Sequence, residues 1–349
     1  MTIDFAYRTF RWDSESEQKA HVHCVIIGFS DKSAKHEQPF VFDEGGKRKG
    51  VQHLNGYLID APDIFVESKA KPICAVPEIV YGSMPIDNGH LILTKEEADA
   101  VKAENPANAK FVRKYVGGDE LINDGTRFCL WLKDASVKEL RQSKLISSRV
   151  KATEEFRQAS TRPQTVRLAE TPWLFGEIRQ PKTRMLVIPK VSSERRRYIP
   201  IMFVEPEIIV NGSALIVPNA SLYDFGILIS NVHNAWMRVI AGRMKSDYQY
   251  SGTVVYNNFP WPNPTEEQKT RIAGTAKAIL EARSNHLGDS LADLYDESFM
   301  PADLRCAHQA NDRAVMEAYG FPIKSSFTES LCVAELFKMY QELTKLQKP

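Results

Sequence analysis

Arg243, Lys245, Asp247 and Gln249 stand close together, interleaved with Tyr248 and Tyr250. Lys245, Asp247 and Gln249 alternate, so an extended segment turns all three the same way. Lys donates to guanine, Gln pairs with adenine and Asp accepts from cytosine, so such a row reads base edges in a DNA groove. Two basic runs lie upstream. Between Arg141 and Arg167 seven Lys and Arg stand against two Asp and Glu. From Arg179 to Arg197, the basic residues Arg179, Lys182, Arg184, Lys190, Arg195, Arg196 and Arg197 stand against Glu194 alone. Lys and Arg contacts to phosphate dominate DNA affinity, so each run is either a phosphate-binding face or a solvated surface balanced elsewhere.

Three other constellations carry less. His21 and His23 share one face of a strand, but the neighbouring sequence suggests no third metal ligand, so a structural role is favoured. Lys47, Arg48 and Lys49 in GGKRKG are either a solvated loop or a phosphate contact. Pro62, Asp63, Glu67 and Lys69 in PDIFVESK spell a nuclease-like signature. That metal chemistry needs its carboxylates on neighbouring strands. Asp63 and Glu67 sit on one short segment, which makes the match a decoy.

Elements must place these residues. Ile3, Phe5 and Tyr7 alternate with polar positions, and HVHCVIIGFS is a β-branched run expected to be buried on both faces. The two strands, joined by the polar link Asp13 to Lys19, make an orphan β-hairpin that is marginal alone and wants a larger sheet. Asp31 to Gly50 reads as a loop. TKEE (Thr94 to Glu97) is a capping box opening a helix, which Asn105-Pro106 ends. FVRKYVGGDELI gives a strand and a turn, RFCLWL another strand, and Val137 to Ser160 a helical pattern. MLVIP, YIPIMFV, EIIV, ALIVP and GTVVY read as short strands. Phe225, Leu228, Ile229, Val232, Trp236, Val239 and Ile240 recur at the spacing of one amphipathic helix, closed by Gly242. After the linker prolines Pro260, Pro262 and Pro264, Thr265 with Gln268 caps a helix from Glu266 to Asn285. Two more helices span Ala302 to Tyr319 and Thr328 to Thr344, the last capped by Ser326 with Glu329. The fold class expected is α+β, a strand-rich middle domain with long helices followed by a small helical domain.

A formal net charge of +1 provides no general field, so any DNA footprint comes from local clustering. Cys24, Cys74, Cys129, Cys306 and Cys332 are scattered without a CxxC pair. That argues against a zinc ribbon or disulfide framework and fits a reducing compartment. Apolar runs such as CVIIGF fall far short of the roughly 20 residues that span a bilayer, and no signal-peptide pattern opens the chain. A cytoplasmic location is expected.

RTFRWDSESEQKAHVHCVIIGFS, YLIDAPDIFVESKAKPICAVPEIVYGSMPIDNG, VIPKVSSERRRYIP, PNASLYDFGILISN, GRMKSDYQYSGTVVYNNFPWP and SLADLYDESFMPADLRCAHQANDRAVMEAYGF stand in this order. Together with RFCLWL and LAETP they resemble the C-terminal part of MmeI-like single-chain restriction–modification enzymes and related adenine-N6 DNA methyltransferases, over nearly the whole chain. The resemblance implies that residues 1–54 hold the last strands of a class I methyltransferase sheet plus a linker. It makes 55–264 a target recognition domain and 265–349 a helical C-terminal domain. The partner implied is double-stranded DNA, read at Lys190, at Gly212 and Ser213, and at Lys245, Asp247 and Gln249. Arg195, Arg196, Arg197 and Arg243 are the expected phosphate contacts. Better-known members carry Glu at the Lys190 site, and Glu and Arg at the Lys245 and Asp247 sites. The reversed charges here imply a C-to-G exchange at the matching base pairs. Phe10 or Trp12 would stack on the flipped adenine, worth about 1–3 kcal/mol.

Such methyltransferases bind S-adenosylmethionine on a Gly-rich loop and hold the target adenine with an Asn/Asp-Pro-Pro-aromatic tetrapeptide. This chain has no GxG, NPP or DPP motif, and Asn263-Pro264-Thr265 does not match. Cofactor binding and methyl transfer are therefore expected from an upstream methyltransferase half, and no activity is expected of this chain alone. Two functions remain: the specificity part of a methyltransferase or restriction–modification enzyme, or a stand-alone DNA-binding or regulatory remnant.

Overall fold

The alternating aromatics of the N-terminus form β1 (Thr2–Asp13), paired antiparallel with β2 (His21–Ser30). The hairpin is not orphaned. The stretch expected to be a loop contributes β3 (Phe40–Phe42), parallel to β1, and β4 (Arg48–Gly50), giving the sheet order β2-β1-β3-β4. Stacked cross-strand rings account for this: Phe5 on Phe40 at 5.5 Å and Tyr7 on Phe42 at 3.9 Å. Arg48 lies 3.8 Å from the Phe40 ring centre. At the free edge, β2 exposes Val25, Ile26, Ile27 and Phe29, so the both-face burial expected of this strand is not met within the chain. The structure, a computed structural model, describes residues 1–13, 21–31, 38–42 and 46–345. Most of the polar link Asp13 to Lys19 and the side chains of His21 and His23 fall outside them.

The middle region holds two lobes. The first carries β5 (Val80–Tyr81), β6 (Ile92–Leu93), α1 (Lys95–Glu104), β7 (Val112–Val116), α2 (Gly118–Asn123), β8 (Arg127–Leu130), α3 (Val137–Gln142), α4 (Lys144–Gln158) and α5 (Pro163–Arg167). The capping box Thr94/Glu97 opens α1. Ser143 divides the expected long helix into α3 and α4, because its hydroxyl caps Ile146 while Glu104 binds it from α1. GGDELI is helical rather than a turn. The second lobe follows with β9 (Met185–Pro189), β10 (Val191–Ser192), β11 (Met202–Val204), β12 (Ile209–Val210), β13 (Ala214–Pro218), α6 (Leu222–Ile229), α7 (Asn231–Ile240), β14 (Gly242–Met244) and β15 (Asp247–Gln249). Its main sheet is β11-β9-β13-β5, antiparallel throughout, with β5 supplied from the start of the first lobe, while β12 pairs back onto the first lobe in the order β12-β7-β8-β6.

Three expectations change here. The amphipathic helix is two helices, because the Ser230 hydroxyl accepts from His233 N and starts α7. Gly242 does not close α7 in a left-handed cap; Ala241 is the cap and Gly242 begins β14. GTVVY is a π-helical turn, Gly252–Tyr256, since Ser251 caps it and the Asn258 amide donates to Thr253 O and Val254 O.

Helices α8 (Glu266–Ser284), α9 (Leu291–Leu294), α10 (Ala302–Tyr319) and α11 (Glu329–Lys345) complete the described chain. Thr265 and Gln268 box α8 as expected. For α11 the cap is Thr328, whose hydroxyl accepts from Leu331 N, rather than Ser326. These helices share one apolar core with β9, β13, α6 and α7, running from Ile59 to Tyr340. Gly226 makes the contact close: a side chain there would sit 2.6 Å from Ile272 of α8, and Asn311 of α10 donates to Gly226 O at 2.8 Å. Mixed sheets, long helices and a helical C-terminal region make the fold α+β.

Candidate nucleic-acid interface

Three segments far apart in sequence meet at one surface. Lys190 N donates to Ser213 O at 3.2 Å, and Tyr250 N donates to Lys190 O at 2.7 Å. β10 pairs with β15 (Val191 opposite Gln249), β14 pairs with β15, and β13 pairs with β9 (Ala214 opposite Pro189). Lys190, Ser213 and the 247–249 strand are thus held in fixed register by backbone bonds. Two clefts open there, sharing Val191 and Ser213. One, of about 440 Å³, is lined by Tyr81, Lys190, Met244, Gln249 and Tyr250. The other, of about 450 Å³, is lined by Gly118, Asn123, Arg196 and Asp247.

Each expected base contact takes a different posture. Asp247 and Gln249 are strand residues two apart, as the alternation required. Lys245 does not continue that row: it sits at the hairpin tip with φ +56°. A two-residue turn between β14 and β15 needs positive φ there, which overrides the alternation. The Lys190 ammonium stands 5.1 Å from the Tyr81 ring centre. Ser213 is exposed, yet its hydroxyl donates to Asn211 at 2.6 Å and accepts from Gly118 N at 3.0 Å. Its donor is therefore engaged with Asn211, and its oxygen receives the first N–H of α2. Gly212 is confined, since an added side chain would lie 2.8 Å from Met84.

Sequence reasoning missed the support beneath Lys190. Nδ1 of His233 lies 2.9 Å from Leu228 O, and the Tyr250 hydroxyl lies 3.0 Å from His233 Nε2. Complete burial pulls His233 down to a pKa of about 3, so the ring is neutral, donating to Leu228 and accepting from Tyr250. Tyr250 in turn donates its backbone N–H to Lys190 O. Only Tyr250, interleaved in the row, hinted at this in sequence.

The basic runs disperse. Arg157, counted in the first, is fully buried and donates to five carbonyls. Arg149 binds His90 O, Ile92 O and Glu97. Arg179 pairs with Glu177 at 2.6 Å and Arg184 with Glu205 at 3.1 Å. In the second run Arg195 and Arg197 are exposed, and Arg196 is half-buried beside the Asp247 cleft. The loop is anchored from below: Arg238 donates to Arg197 O, and the Tyr198 hydroxyl donates to the half-buried Asp312 at 2.7 Å. Arg243 is spent on the hairpin, donating to Ser246 O at 2.8 Å and Tyr248 Oη at 3.2 Å and pairing with Glu194 at 3.5 Å.

At the distal end of β1 the rings Tyr7, Phe10 and Trp12 succeed one another at 6.3 Å. Phe10 is half-buried, whereas Trp12 is 59% exposed. PDIFVESK is an extended connector tied to the π turn, with Asn258 donating to Glu67 O and Asn257 to Lys69 O. Asp63 pairs with His53 at 3.0 Å. Among the described residues no group of three metal-ligating side chains converges. Among the described residues no helix is long and apolar enough to cross a membrane.

A strand-rich domain whose separate loops converge on one polar row is thus backed by a helical bundle. Residues 60–263 match the family model of the MmeI target recognition domain, 264–347 that of the MmeI C-terminal domain, and 1–43 that of the MmeI DNA-methyltransferase domain. The chain belongs to the MmeI family. It is 36% identical over 344 residues to DNA methyltransferase A of Bacillus subtilis (strain 168), covering 98% of this chain and 38% of that protein. It also matches the structure of the Type IIL restriction–modification enzyme MmeI in complex with DNA. That match has a TM-score of 0.89 and 41% identity, over 99% of this chain and 46% of that one. The chain thus spans less than half the length of either relative.

Proposed function

We infer that this chain reads the sequence of double-stranded DNA and works with a methyltransferase half, in the same polypeptide or a separate one. The convergence of Lys190, Ser213 and the Asp247–Gln249 strand through Lys190's two backbone bonds carries this reading. Lys190 and Lys245 present donors suited to guanine O6 and N7, Gln249 suits adenine, and Asp247 accepts from cytosine N4. Arg195, Arg196 and Arg197 serve phosphate, and Trp12, more exposed than Phe10, is the better platform for a flipped adenine. Gly212 offers no side chain and Ser213 an occupied donor, so these two shape the floor rather than read bases.

S-adenosylmethionine belongs to the methyltransferase half. The apolar edge of β2 is where that half continues the sheet, which favours this role over a stand-alone remnant. A cytoplasmic location follows from the role. The test is the charge exchange Lys245→Glu with Asp247→Arg, read by sequencing the methylated motif after supplying the methyltransferase half. One or more G·C pairs in the motif should invert. An unchanged motif removes these two residues from base reading.

A further inference from the structure

Tyr81 lies on β5, opposite Leu215 of β13, and is 39% exposed at the mouth of the Lys190–Gln249 cleft. Two cations stand over its ring, the Lys190 ammonium at 5.1 Å and the Arg179 guanidinium at 5.9 Å from the centre. Arg179 is itself held, paired with Glu177 at 2.6 Å and hydrogen-bonded to Gly82 O at 3.4 Å. Lys190 differs. Its backbone is fixed at both N–H and C=O, but its head is a point charge on a four-carbon stem with no directional fork. An ammonium that is to favour one base must be aimed, and the ring quadrupole of Tyr81 is the group within reach that aims it.

We propose that Tyr81 is a positioning residue for specificity: its ring places the Lys190 ammonium, so that Tyr81 and Lys190 together set the preference at one base pair. The proposal rests on the base-reading role inferred for Lys190. Tyr81 acts through its ring face and not its hydroxyl, and its effect is confined to the pair that Lys190 reads.

The experiment is selection from a randomised duplex pool at low salt, run on the parent chain, Lys190→Glu, Tyr81→Leu, Tyr81→Thr and Tyr81→Phe. Thermal unfolding is followed in parallel to confirm that each variant folds. Tyr81→Thr suits the edge strand should Tyr81→Leu not fold. Expected is a changed preference at one base pair in Lys190→Glu. At that same pair, discrimination falls about two- to fivefold in Tyr81→Leu and Tyr81→Thr, the size of an exposed cation–π contact. Tyr81→Phe keeps the parent motif. If Lys190→Glu alters the motif and folded Tyr81→Leu or Tyr81→Thr does not, the proposal fails and the reading of Lys190 stands. Changes at other pairs, or equally at all, also overturn it, showing that Tyr81 touches DNA itself or only supports the fold. If Lys190→Glu leaves the motif unchanged, or the parent selects none, the reading of Lys190 fails and the proposal with it.

Discussion

Replacing Arg157 with Met removes a guanidinium that ties the first lobe together. Its nitrogens donate to Pro85 O at 2.8 Å, Ile86 O at 2.9 Å, Leu168 O at 2.9 Å, Thr171 O at 3.1 Å and Leu174 O at 2.7 Å. Three of these carbonyls keep a second donor: Gly176 N reaches Pro85 O, Thr171 N reaches Leu168 O, and Leu174 N reaches Thr171 O. The loss therefore falls mainly on Ile86 and Leu174, at about 1–3 kcal/mol for each buried carbonyl left without a partner. Against this, the variant no longer buries a charge, a cost visible as the lowered pKa of Arg157. The net destabilisation is about 2–4 kcal/mol. Urea unfolding, followed by the tryptophans of this lobe, measures it. Arg157→Lys should recover only part, because an ammonium cannot span both the 85–86 and 168–174 segments. Stability within about 0.5 kcal/mol of the parent, the range of ordinary surface changes, would refute the reasoning.

Further outcomes follow from other contacts. His233 is held near a pKa of about 3 against an ordinary 6.5, so the unfolded chain binds more protons between these values and stability falls as pH drops below 6.5. At pH 5 the loss from His233 is about 2 kcal/mol, that is 1.5 units at about 1.36 kcal/mol each. His308, shifted down by burial, adds in the same sense, while Asp312, raised by burial, acts in the opposite sense. Urea midpoints that do not move between pH 7 and pH 5 would contradict this. Arg195→Ala should reduce the slope of log binding constant against log salt by about 0.9, one phosphate contact, on all sequences alike. Arg243→Ala should instead loosen the hairpin and lower affinity with little change of slope. Ending the chain at Pro264 should leave an unfolded product by circular dichroism, since α8, α10 and α11 share the core of α6 and α7.

What could be read in the sequence was what local pattern determines. Thr94/Glu97 and Thr265/Gln268 marked helix starts because a capping box acts within four residues. The alternation of Asp247 and Gln249 survived because β15 is extended, whereas Lys245 fell to the turn that joins two strands. β3 escaped notice because two of its three residues, Phe40 and Phe42, are held by rings on β1, a partner distant in sequence. Charge counting misled for the same reason. Arg157 and Arg149 look like a phosphate face in one dimension, and only the fold shows the carbonyls they serve. Beyond Tyr250, the His233–Tyr250–Lys190 support could not be read because it joins segments with no shared spacing.

The central claim is that base reading is built into this chain. The measurement that tests it most directly is selection of bound duplexes by the isolated chain from a randomised pool at low salt, followed by sequencing. The account predicts a short enriched motif containing at least one G·C pair whose orientation depends on Lys190 or Asp247. Recovery of all sequences alike, with binding that only falls with salt, would contradict it.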